Sequence, residues 1–126
     1  MVGKCLWKRT PSSGTHSAGR EGSSRAISRE VAIASILRIG HRGAAGHAPE
    51  NTLAAIWKAR SFRADLIEVD VRETCDGYLV LLHDDTVDRT TNKTGHVAEM
   101  SLDQVQRLDA GNGQCIPTLE EALKAA

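Results

Sequence analysis

Two histidines, two carboxylates and an arginine are the residues whose types and spacing offer chemistry. His41 and Arg42 lie among Gly40, Gly43 and Gly46, directly after Ile36-Leu37-Arg38-Ile39. A strand over 36–40 would deliver the imidazole at its C-terminal end, where α/β proteins place ligands. Arg42 adds a permanent cation for a phosphate or carboxylate. Glu68 and Asp70 are two positions apart in the alternating run Leu66–Arg72, so both carboxylates share one strand face. Such a pair repels unless one member is protonated or a cation lies between them, and Mg²⁺ or Ca²⁺ suits hard oxygen ligands. His83 closes a further apolar run and opens His83-Asp84-Asp85.

Each feature alone has an ordinary structural alternative: a histidine capping a strand, or a solvated acidic face offset by Arg72. Their convergence argues otherwise. Only Glu73-Thr74-Cys75-Asp76-Gly77 separates the two strand-like runs, whereas a parallel crossover takes about a dozen residues. A hairpin centred on Asp76-Gly77 is therefore expected, with Asp70 opposite His83. The chemistry that fits is phosphodiester cleavage. A cation and Arg42 would neutralise the non-bridging oxygens, while one histidine removes a proton from the attacking oxygen and the other protonates the leaving alkoxide.

The elements that must hold these groups read as strand, helix, strand, strand, helix, helix, an α/β order that looks unfinished. Ile36–Gly40 is expected as a short buried strand. A helix starts near Thr52 behind Pro49, with Leu53, Ile56 and Trp57 on its inner face. Ile67, Val69 and Val71 face one side of the second strand, and Tyr78–His83 forms the third. A polar loop follows over Asp84–Val97. Ser101-x-x-Gln104 and Thr118-x-x-Glu121 are capping boxes for two more helices, the last with Leu119, Ala122 and Leu123 inward.

The chain has 126 residues, 40% hydrophobic and 3% aromatic, which allows one modest aliphatic core. Residues 1–40 hold seven basic side chains against Glu21 and Glu30, a charge of +5, leaving −5 for residues 41–126. An acidic body argues against nucleic acid as a partner and suits a cation site. Residues 1–35, rich in Ser, Gly and Arg, read as a disordered leader. A functionless extension is the favoured reading, with mitochondrial targeting as the alternative. Cys5, Cys75 and Cys115 are odd in number and widely spaced, which favours reduced thiols in an intracellular, cytoplasmic protein. No apolar run approaches the roughly 20 residues of a membrane span.

Four ordered blocks resemble the glycerophosphodiester phosphodiesterases. Residues 39–58, from Ile-Gly-His-Arg-Gly to Thr-Leu-Ala-Ala-Ile-Trp-Lys, look like the family's opening signature. Ala64–Val71, His83–Thr91 and Ile116–Glu121 follow in the family's order, so the resemblance covers about residues 36–126. It implies the N-terminal portion of a distorted TIM-type (β/α)₈ barrel. It also implies metal-dependent hydrolysis of glycerophosphodiesters to glycerol 3-phosphate and an alcohol, with lysophospholipids open as further substrates. By motif position His41 and His83 are the acid–base pair, Glu68 and Asp70 the metal ligands, and Arg42 the phosphate ligand. Glu50 and Asn51, in the Pro-Glu-Asn-Thr segment, take supporting roles.

The resemblance also places a third acidic ligand on a strand beyond Ala126. A full barrel needs roughly 250 residues, so a fragment or a non-catalytic form with little hydrolase activity of its own is the rival expectation. Arg63 stands where the family usually has glycine. A dinucleotide-binding fold is the other rival, although the glycines fall as Gly-x-x-Gly-x-x-Gly instead of Gly-x-Gly-x-x-Gly.

Overall fold

The structure, a computed structural model, describes residues 3–8 and 36–126. Its elements are β1 (Gly3–Lys8), β2 (Ile39–His41), α1 (Leu53–Ser61), β3 (Leu66–Glu73), β4 (Leu79–Leu81), α2 (Leu102–Gln106) and α3 (Leu119–Ala125), with a short 3₁₀ turn at Val97–Glu99. The centre of the sheet is β3. Along one edge it pairs antiparallel with β1, from Gly3 opposite Val71 to Lys8 opposite Leu66. Its other edge takes parallel β2 at Leu66–Glu68 and then antiparallel β4 at Val71–Glu73.

The alternation of residues 66–72 holds. Ile67, Val69 and Val71 join Leu81, Ile56, Ala59, Ala122 and Ala125 in one buried cluster. Val80 and Leu82, on the opposite face of the hairpin, enter a second cluster with Val87, Val97, Val105, Leu108 and Ile116. Glu68 and Asp70 lie on the face away from the first cluster, and both are buried.

Both capping boxes form: Ser101 with Gln104, and Thr118 with Glu121. Thr52 caps α1, its hydroxyl accepting from Ala55 N. The inner face of α1 is nevertheless Ala55, Ile56 and Ala59, and Trp57 is 55% exposed. Small residues win that face because α1 packs close to the chain at Gly40, whose Cβ position would lie 2.9 Å from Ala59 Cβ. Leu123 is likewise exposed on α3, where Ala122 and Ala125 are the buried residues.

Three further expectations are corrected. The first strand is Ile39–His41 and is open, not buried, with Ile36 93% and Ile39 54% exposed. It ends the strand order, so among the described residues no strand covers its outer edge. Within residues 1–35, Gly3–Lys8 forms a strand instead of a disordered leader, because an extended segment satisfies the free N–H and C=O row of β3. The other residues of the expected leader lie outside the described residues.

The hairpin is shifted by one position. Val71 faces Leu81 and Leu82 N bonds Asp70 O at 3.1 Å, so Leu82, not His83, stands opposite Asp70. The turn decides this. Thr74 N bonds Tyr78 O at 2.9 Å, and Thr74 Oγ1 donates to Asp76 Oδ1 at 2.6 Å, which closes the turn around Asp76.

Arg63 takes φ +56°, the left-handed region that glycine adopts without a Cβ clash. That is a physical reason for the glycine expected at this position from the resemblance.

Candidate active site

The turn after β2 is built by close approach. Gly43 sits at φ +80° with its Cβ position only 2.7 Å from Ala55 Cβ, so only glycine lets the turn lie on α1. Gly43 N bonds Glu68 O at 3.1 Å, Ala44 N bonds Ala55 O at 3.0 Å, and Ala45 N bonds His41 O at 3.4 Å. These amides are committed to protein acceptors and make no phosphate cradle, which removes the main physical attraction of the dinucleotide alternative.

That turn delivers His41 and Arg42 to the carboxylate face of β3, where His41 is opposite Glu68. His41 Nε2 is 3.8 Å from Glu68 Oε2, and Arg42 N donates to the same oxygen at 3.0 Å. Arg42 Nε is 3.4 Å from Asp70 Oδ2, close enough for charge attraction but without hydrogen-bond alignment. On the other side, Lys4 Nζ is 3.8 Å from Glu68 Oε1. The β1 segment thus brings a cation to the pair, which no motif indicated.

Asn51 does more than start a helix. Its Nδ2 donates to Asp70 Oδ2 at 3.2 Å, and its Oδ1 accepts from Asp70 N at 3.2 Å. Asn51 N also donates to Arg42 O at 3.1 Å, and the residue holds φ +56°. One buried amide therefore orients the carboxylate and closes the loop. Glu68 Oε1, Asp70 Oδ1 and Arg42 Nε remain buried without a hydrogen-bond partner. Buried polar atoms are normally satisfied, so two carboxylate oxygens without hydrogen bonds on one face, with Lys4 at ion-pair distance from Glu68 Oε1, are donors of the kind a hard cation takes. They fit part of such a set. Among the described residues, no group of three or more His, Cys, Asp and Glu side chains could hold a metal ion.

His83 reaches this constellation by another route than the expected cross-strand pairing. It lies two residues past β4, where Arg72 donates to its carbonyl from Nε at 3.2 Å and from NH2 at 2.7 Å. Its Nδ1 pairs with Asp84 Oδ1 at 2.5 Å. Arg89 then bonds Asp84 Oδ2 through Nε at 2.7 Å, and Glu50 through NH1 at 3.0 Å and NH2 at 2.7 Å. Glu50 Oε1 in turn accepts from Arg42 NH1 at 2.9 Å. An unbroken series of charged side chains therefore runs from Asp70 through Arg42, Glu50 and Arg89 to Asp84, which holds the His83 ring.

The charges in this series reinforce one another. The hydrogen bond from Arg89, helped by that from His83, holds the Asp84 carboxyl at about 2. Glu50 is also lowered, first by the Arg89 bond and then by Arg42, against the opposing effect of burial. The Arg89 guanidinium is pushed above its ordinary value by the same two carboxylates. Neither Asp84 nor Arg89 drew attention as a site residue by type alone. The signal available was their place in the block His83–Thr91, where an arginine and three aspartates stand in an otherwise Thr- and Val-bearing loop.

The Glycerophosphoryl diester phosphodiesterase family model matches residues 41–126. The chain belongs to this family. A glycerophosphodiester phosphodiesterase of Caldanaerobacter subterraneus is 47% identical over 95 residues, covering 70% of this chain and 39% of that protein. A crystal structure of glycerophosphodiester phosphodiesterase from Agrobacterium tumefaciens superposes with a TM-score of 0.67 at 45% identity, covering 71% of this chain and 42% of the other. An Oleispira antarctica phosphodiesterase, solved in complex with the product sn-glycerol-3-phosphate, gives a TM-score of 0.69 at 38% identity, covering 71% and 39%. The chain thus spans about two fifths of the length of these relatives, and its fold is a partial glycerophosphodiester phosphodiesterase barrel. No helix among the described residues is long and apolar enough to cross a membrane.

Proposed function

We propose that this chain carries the first part of a metal-dependent site that hydrolyses glycerophosphodiesters to glycerol 3-phosphate and an alcohol, or lysophospholipids to the corresponding acylglycerol phosphate and an alcohol. The observation that carries this reading is the pair of buried oxygens without a hydrogen-bond partner, Glu68 Oε1 and Asp70 Oδ1, beside Arg42 and His41. Family membership supports it. Glu68 and Asp70 would hold Mg²⁺ or Ca²⁺, which when bound supplies Lewis-acid neutralisation of phosphoryl charge.

The chain's own residues do the rest. Arg42 binds a non-bridging phosphate oxygen, its backbone held by Glu68 and Asn51 and its guanidinium by Glu50. One of His41 and His83 accepts the proton of the attacking oxygen as the new P–O bond forms. The other gives a proton to the alkoxide as the old P–O bond breaks, and the net change is addition of water. The Asp84 contact occupies Nδ1 of His83, which leaves Nε2 for the transfer. Asn51 keeps the Asp70 carboxylate aimed while it is ionised.

Calorimetric titration of the 126-residue chain with Mg²⁺, Ca²⁺ and glycerol 3-phosphate tests this reading, alongside release of glycerol 3-phosphate from glycerophosphocholine. Cation binding is expected, and Glu68→Gln and Asp70→Asn should each abolish it. Any turnover should vanish with EDTA and fall about 10²–10⁴-fold in His83→Ala. Absence of cation binding, or binding indifferent to both carboxylate substitutions, sinks the proposal.

A further inference from the structure

We propose that Arg89 is a positioning residue that locks the two halves of the site together, fixing the tautomer of His83 through Asp84 and the aim of Arg42 through Glu50. The inference rests on the acid–base role proposed for His83 and the phosphate role proposed for Arg42. Arg89 itself touches neither, so it acts only through the two carboxylates.

The fork geometry carries the argument. A guanidinium presents five N–H groups in one plane, and Arg89 divides them between two carboxylates: Nε to Asp84, and the paired NH1 and NH2 to Glu50. Glu50 is 39 positions away in sequence, on the loop that leads into α1. Asp84 uses its other oxygen, Oδ1, for His83 Nδ1, and Glu50 uses Oε1 again for Arg42 NH1. A rotation of either carboxylate would break both of its contacts together. Held in place, an ionised Asp84 must accept a proton-bearing Nδ1, so neutral His83 is kept in the form that leaves a lone pair on Nε2.

The backbone that launches Arg89 is itself anchored. Val87 is fully buried, its N bonding Gly95 O at 3.0 Å and its O accepting from Thr91 N at 3.1 Å and Thr91 Oγ1 at 2.8 Å. Asp88 Oδ1 accepts from Gly95 N at 2.9 Å. The Arg89 side chain is 47% exposed and belongs to neither apolar cluster, so core filling does not explain it. The low Asp84 and Glu50 values keep both carboxylates ionised through the range in which an imidazole titrates.

The test is ¹⁵N-histidine NMR of the full chain at pH 8, where imidazole is neutral, together with calorimetric binding of glycerol 3-phosphate in the presence of Mg²⁺. Wild type should show His83 as the Nδ1–H form. Arg89→Gln should mix the two forms and weaken glycerol 3-phosphate binding by about tenfold, the scale at which outer-shell partners act. Arg89→Lys keeps the charge and the stem but cannot hold both carboxylates, so it should mix the forms as well; it decides the matter if Arg89→Gln does not fold. A wild-type His83 in the Nε2–H form, or an unchanged tautomer in the folded variant, overturns the proposal. A changed tautomer in a chain that binds no glycerol 3-phosphate would uphold the role of Arg89 while removing the functional reading.

Discussion

His41 and His83 are held by different forces. His41 closes β2, and its turn is fixed by main-chain bonds, by Gly43 lying against Ala55, and by the buried amide of Asn51. His83 lies beyond the end of β4 and is fixed by side-chain charge: Arg72 on its carbonyl, Asp84 on its ring, and Arg89 behind Asp84. The first arrangement is steric and short-range, so a single added methyl group can break it. The second is electrostatic and half-exposed, so solution conditions can loosen it while the fold survives.

The contrast breaks most severely at Gly43. Gly43→Ala meets both an unfavourable φ and a 2.7 Å contact, and should cost at least about 3 kcal/mol in a urea titration, strain and overpacking together. Asn51→Ala strips Asp70 of two hydrogen bonds in a buried setting, with an expected loss of about 2 kcal/mol. A stability change under 0.5 kcal/mol for either, on the order of an ordinary surface substitution, would show that the His41 half is not sterically determined.

The His83 half should respond to acid instead. Asp84 titrates at about 2, below its ordinary value of 3.8, chiefly because Arg89 bonds it. A depressed carboxylate contributes stability that is complete above its unfolded value and is lost as pH falls through the folded one. The Arg89 Nε–H resonance should therefore stay protected above pH ~4, the ordinary carboxylate value. It should be lost between there and the folded value near 2, while the Gly43 amide stays protected longer. Simultaneous loss of both signals would erase the distinction between the halves. The smallest effect expected is a gain. Arg63→Gly relieves a left-handed residue on an exposed turn outside both halves, and should raise the urea midpoint by the equivalent of roughly 0.5–1 kcal/mol.

Much of the site was legible because its signals are local. Glu68 and Asp70 share a face since strand side chains alternate, and both capping boxes follow from a three-residue spacing. The hairpin register departs by one position from local expectation, because the hydroxyl of Thr74 closes the turn on Asp76 and draws Tyr78 in opposite Thr74. That shift put Leu82 into the second apolar cluster and left His83 to be placed by ion pairs.

From the residues alone came the candidate reactive groups, the strand that aligns two carboxylates, the glycine turn that presents His41 and Arg42, and the likeness to the family. Tertiary structure alone decided that Asn51 clamps Asp70, that Arg89 joins Glu50 to Asp84, and that Gly3–Lys8 covers an edge of β3 with Lys4 beside Glu68. The reason is range. Periodicity and caps act within a few residues, whereas Asn51 and Asp70 are 19 positions apart and Glu50 and Arg89 are 39 apart, and only the folded chain brings such groups within hydrogen-bond or Coulombic reach.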